Sequence, residues 1–208
     1  MQSRPFPPPE LLEPLPPKGF MVAQELLTWA RSSFIEDGAS LLNEDHAHLR
    51  HAQVGFLWTS VVNARNMRRI VGQAELGRPT AMGRWAKARA EQQVCEWFGE
   101  VPDFIITLDA VYADQCGDAE FCSLVEHELY HCGQERDPFG APKFRKDGRP
   151  SFGMRGHDVE EFVGVVRRYG VGAAAGDTFA LVEAARNGPQ IAPAMISQAC
   201  GTCLRAHA

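Results

Sequence analysis

Hydrophobic positions along this chain change their period several times, and each change marks an element. Across residues 51–62, Ala52, Val54, Phe56 and Trp58 alternate with polar or small neighbours, the two-residue repeat of a strand with one buried face. Residues 69–76 are expected to be its antiparallel partner, with polar Asn63-Ala64-Arg65-Asn66 as the hairpin loop. Upstream, Val22, Leu26, Leu27, Trp29 and Ala30 place a helix within residues 21–34. Residues 85–98 read as a second helix and 104–108 as a strand. Phe121, Leu124, Val125, Leu129 and Cys132 then recur at helical spacing, which predicts an amphipathic helix that Asp118 can cap and Gly133 can end. A further helix is expected to start at His157, where Asp158 and Glu161 have the form of a capping box ahead of Phe162, Val165, Val166 and Tyr169. Residues 177–188 form a last helix, followed by Pro189.

This order implies an α+β fold: a small twisted, mostly antiparallel sheet backed by helices, with the helix that bears Phe121 to Cys132 packed against it. Residues 1–20, with Pro7-Pro8-Pro9 and Pro16-Pro17, are expected to be an extended polyproline-like arm; residues 21–170 make the domain and 171–208 a helical extension. At 208 residues and 45% hydrophobic content the chain can bury one substantial core. Its net charge of −5 gives no overall attraction for nucleic acid or anionic membrane. No apolar run is long enough for a membrane span, and no basic start leads into an apolar signal core. The six cysteines therefore read as reduced thiols of a cytoplasmic protein.

Chemistry enters with His127-Glu128-Leu129-Tyr130-His131. On a helix, residues four apart stack, so His127 and His131 can offer imidazole nitrogens to the same ion while Glu128 lies beside it. Two neutral imidazoles suit zinc, and a carboxylate next to them can act as general base toward a water that the metal activates. All three fall along the edge of the apolar stripe, at the margin of the core and able to line a cleft. Catalytic zinc normally holds three protein ligands, and His157 is the best third candidate. Glu160, Glu161 and Asp137 are its rivals.

The run from Asp103-Phe104-Ile105-Ile106 through Val125-Glu126-His127-Glu128-Leu129-Tyr130-His131-Cys132, then His157-Asp158-Val159-Glu160-Glu161-Phe162 and Arg168-Tyr169-Gly170, resembles the putative phage metallopeptidase family. More distantly it is similar to SprT-like zincins, although Asp158 follows the third histidine where those tend to have glycine. The resemblance implies a zincin-like, zinc-dependent peptidase, with His127 and His131 as ligands, Glu128 as base and a peptide or protein as substrate. Zincin folds commonly leave a strand at the rim of the cleft, where an extended peptide can add as a further strand. The alternative is a non-catalytic zinc-binding module, which would need ligands but no base such as Glu128.

Weaker signals remain. Tyr112 and Tyr169 could steady an oxyanion. The basic run of residues 142–150 could select acidic substrates or cover the site. His46, His48 and His51 could bind a second metal, and Cys200 and Cys203 with His207 a third, but hydrogen-bonding histidines and ordinary thiols are the expected roles.

Overall fold

The computed structural model describes residues 3–15, 19–65, 67–80, 83–159, 163–172, 176–194 and 200–202. In chain order the elements are β1 (Phe20–Val22), α1 (Gln24–Ala30), β2 (Val54–Thr59), β3 (Asn63–Arg65), β4 (Arg68–Ile70), β5 (Gly72–Leu76), α2 (Arg84–Phe98), β6 (Phe104–Asp109), α3 (Ala110–Gln115), α4 (Asp118–His131), β7 (Cys132–Gln134), β8 (Phe152–Met154), α5 (Val163–Tyr169) and α6 (Asp177–Asn187). The architecture is mixed α and β: one four-stranded sheet and two short ribbons among helices. Among the described residues, no helix is long and apolar enough to cross a membrane.

The main sheet has the order β1-β2-β6-β5. β2 runs antiparallel to β1 and parallel to β6, and β5 is antiparallel to β6. This corrects the expected pairing of residues 51–62 with 69–76, because β6 lies between them. The reason is burial on both faces. Every residue of β2 is buried. Phe56 and Trp58 join Ile106, Leu108 and the α4 residues Phe121, Leu124, Val125 and Leu129 in the main core, while Leu57 packs with Ile105 and Val94 of α2 on the opposite side. A strand covered twice belongs at the centre of a sheet, paired along both edges. Its parallel partner must come from a distant crossover, here the stretch through β5 and α2. Residues 63–65, expected to be a loop, instead form β3, which pairs with β4 as a separate ribbon.

α1 begins at Gln24, and Val22, expected to be helical, belongs to β1. The N-terminal arm is not simply extended. It makes a 3-10 turn at Pro9–Leu11, and Leu11 enters the core. Arg4 is 7% exposed; its guanidinium donates to the carbonyls of Ala113 and Cys116, both at 2.7 Å, and sits over the Phe121 ring.

α4 carries the chemistry. Its Phe121, Val125 and Leu129 have no exposed surface, and burying each such side chain contributes roughly 1.5–3 kcal/mol. Gly117 is the N-cap and supplies no side-chain bond, while Asp118, expected as the cap, is the first helical residue and pairs with Arg4. Gly133 does not end the helix in a turn; the chain passes directly from His131 into β7, which pairs with β8.

Candidate metal centre

The last turns of α4 bring His127 and His131 together, as the helical repeat dictates. Their Nε2 atoms lie 3.2 Å apart. The Nδ1 of His131 donates to the Arg155 carbonyl at 2.7 Å, which turns its Nε2 toward His127 and Cys200. Arg155 grips this end of the helix twice, since its own backbone N–H donates to the His131 carbonyl at 2.9 Å. Burial alone would lower the pKa of His131, but its hydrogen bonds with Cys200 and the Arg155 carbonyl outweigh that and the net push is upward.

His157 stands beside the pair on the chain that leaves β8, its ring close but its nitrogens outside the tight cluster of ligand atoms. Its ring centroid lies 5.2 Å from that of His127 and 5.3 Å from that of His131. It stands three residues beyond β8, and the Asp158 carboxylate accepts from Arg155 at 2.6 Å; α5 is described from Val163, so the helix start expected at His157 lies partly outside the described residues. Glu160, Glu161 and the capping box that would include Glu161 lie outside the described residues. Asp137 uses its carboxylate within a turn, accepting from the backbone of Phe139 and Ala141 at 2.8 and 2.9 Å.

Glu128 is fully buried, and among the described residues neither of its carboxylate oxygens has a hydrogen-bond partner. Burial first, then the neighbouring Cys200 sulfur, pushes its pKa well above the usual carboxylate value. It lies against β5 so closely that a Cβ on Gly72 would stand 2.7 Å from its Oε1.

Cys200, expected to be an ordinary thiol, also comes to this place. Its Sγ is 3.5 Å from His131 Nε2, and the ligand atoms of His127, His131 and Cys200 all lie within 4.8 Å of one another. Cys203 and His207, with which it was weighed as a knuckle, lie outside the described residues. No local pattern announces Cys200, because it arrives through pairing of the C-terminal segment with β5. Imidazole nitrogens, a thiol and an unpartnered buried carboxylate form a donor set that fits a divalent metal. Beside them opens a cleft of about 840 Å³ lined by Ala74, Trp97, His131, Arg155, His157 and Thr202.

Among the described residues His46, His48 and His51 do not gather as a second site, and the first two lie against the C-terminal part of α4 and β7. His46 is buried 3.8 Å from the Glu126 carboxylate, with its ring edge-on to Tyr130. His48 Nε2 donates to the Cys132 carbonyl at 2.6 Å, and His51 is exposed. Tyr112 neighbours Cys116 and Glu120 near the start of α4, away from the histidines; the Tyr169 side chain lies outside the described part. In the basic run, Lys143, Arg145 and Arg149 pair with Glu135, Asp103 and Asp147, so the protein's own carboxylates match these cations.

A family model described as putative phage metallopeptidase matches residues 27–186. No curated protein and no solved structure matches the chain.

Proposed function

The chain belongs to the putative phage metallopeptidase family, and from that membership and the geometry above we propose that it is a zinc-dependent peptidase. In this reading His127, His131 and His157 hold the metal and Glu128 is the general base. One observation carries it: a fully buried carboxylate, lacking a hydrogen-bond partner among the described residues, stands beside a convergent imidazole pair. Burying an unpaired carboxylate is costly, and a cation bound beside it would offset that cost. Zinc, when bound, would polarise the scissile carbonyl and lower the pKa of a coordinated water.

The chain's own residues do the rest. Glu128 takes the proton of the attacking water and returns it to the leaving amine; burial raises its affinity for that proton, and a bound cation would act the other way to keep it ionised before the step. The bond from His131 Nδ1 to the Arg155 carbonyl fixes the ring that faces the ion. β5 lies at the sheet's rim beside Glu128, the zincin-like placement, so an extended peptide added along β5 would bring its carbonyls past the base. Such backbone pairing needs no chain terminus, which supports an endopeptidase. The described cysteines are all free, which suits a reducing, cytoplasmic setting.

Metal content and hydrolysis of a denatured protein mixture test this together. The native chain should hold zinc and cleave, and His127→Ala and His131→Ala should lose both properties. Native protein devoid of metal affinity, or cleavage that survives in both variants, would refute the proposal.

A further inference from the structure

Delivery of Cys200 differs from that of the histidines. The Val71 carbonyl accepts from the Asp109 backbone, and Gln73 and Glu75 register with Thr107 and Ile105 of β6. Alternation along a strand then turns the backbone groups of Gly72 and Ala74 away from β6, toward the rim of the sheet. Those are the groups an added peptide strand would use. In this chain they are taken: Cys200 bridges Gly72 in the parallel sense, and Thr202 Oγ1 accepts from the Ala74 N–H at 2.8 Å and donates to the Ala74 carbonyl at 2.6 Å. Gly201 permits the approach, since a Cβ there would lie 2.5 Å from Gln73 Oε1 and 3.0 Å from Ile70 Cγ2. Cys200 is 4% exposed, and its sulfur faces His131 Nε2. Glu128, buried and unpartnered, shares the enclosure from the other side of Gly72.

We propose that Cys200 is a fourth protein ligand of the metal, and that residues 200–202 hold the peptidase latent by filling both the substrate's rim and the coordination position that solvent needs. This rests on the peptidase reading of the same site. Zinc with four protein ligands is closed and structural, whereas three ligands and an open position make it catalytic, so the seat of Cys200 separates the two states. Seating breaks the S–H bond, passes its proton to solvent and gives the sulfur lone pair to the metal; release takes a proton back from solvent, with no oxidant or reductant. A substrate strand that competes for Gly72 and Ala74 would drive release.

The test uses the full chain loaded with cobalt(II) as probe, with turnover measured on zinc-loaded protein. Native protein should show a sulfur-to-cobalt charge-transfer band. Cys200→Ala should lose the band yet still bind one cobalt through the histidines. Thr202→Val keeps the thiol but loses both bonds to Ala74, so alkylation of Cys200, mapped by mass spectrometry, should run several-fold faster than in native protein. A strap seated about nine-tenths of the time leaves about one-tenth of the molecules competent, so Cys200→Ala should raise turnover about tenfold. Absence of the band in native protein, or its persistence in Cys200→Ala, would overturn the ligand assignment. Loss of the band without a gain in turnover, where native protein is active, would overturn latency alone. Loss of the band with no turnover in either protein would overturn latency and the peptidase reading, leaving a closed structural site.

Discussion

Adding one methyl group at Gly72 tests how tightly β5 and the proposed base are fitted. The new Cβ would stand 2.7 Å from Glu128 Oε1 and 2.8 Å from Leu124 Cδ1, against an ordinary contact of 3.4 Å or more, so each neighbour must yield by about 0.6–0.7 Å. Leu124 is 2% exposed and Glu128 fully buried, which leaves neither an open side to move toward. Overpacking of this kind costs about 1–3 kcal/mol. At about 2–4 °C per kcal/mol for a chain of this size, Gly72→Ala should lower Tm by about 2–12 °C. A catalytic group misplaced by about 1 Å can lose about 100-fold in rate, so the smaller shift here should lower kcat by about 10- to 100-fold. Metal content should be unchanged, because the atoms nearest the methyl belong to Glu128 and Leu124 and not to a proposed ligand. Gly164→Ala is the control: among the described residues nothing lies within 4 Å of its Cβ, and as a helix position it should leave kcat native and Tm unchanged or slightly raised. Thermal melts, metal analysis and steady-state kinetics read the three effects. Native Tm and kcat in Gly72→Ala would show that the close approach of Glu128 to β5 is not required.

Arg4→Ala removes the donor from the Ala113 and Cys116 carbonyls and should cost about 2–4 kcal/mol in urea denaturation; its partner Asp118 is 86% exposed and adds little, and a loss below about 0.5 kcal/mol would discard the anchor. Burial, with His46 and Arg155 assisting and the Cys132 carbonyl opposing, holds the pKa of His48 below its ordinary 6.5. The folded state thus favours neutral His48, and its contribution is present above that value and lost as pH falls through it toward the folded pKa. His48→Gln should flatten the decline in Tm between about pH 7 and pH 5 relative to native, and an unchanged slope would remove this cause. Chelation should lower Tm, and one equivalent of zinc should restore it; indifference of Tm to both would argue against a metal bound to the folded state.

What could be read from sequence was local. α2, β6 and α4 have bounds close to those that periodicity predicts, because a helix or strand displays its own buried face to the reader. The family resemblance, drawn from the stretches around His127-Glu128 and His157, is matched by the family model. Pairing was harder. The polar stretch at residues 63–66 suggested a hairpin between neighbours, yet burial of Phe56 on one face and Leu57 on the other drew β6 in between. His157 follows the β7–β8 ribbon, whose three-residue strands are too short to show a period. Cys200 depends on Thr202 gripping Ala74, a contact between distant parts of the chain that no sequence window contains.

Comparing turnover and metal content in native protein and Glu128→Ala reaches the central claim most directly. Glu128 is proposed as the base and not as a ligand, so both proteins should carry equal metal, while cleavage of a denatured protein mixture should fall by about 100- to 10,000-fold in the variant. Equal turnover by the two proteins, at equal metal content, would contradict the account.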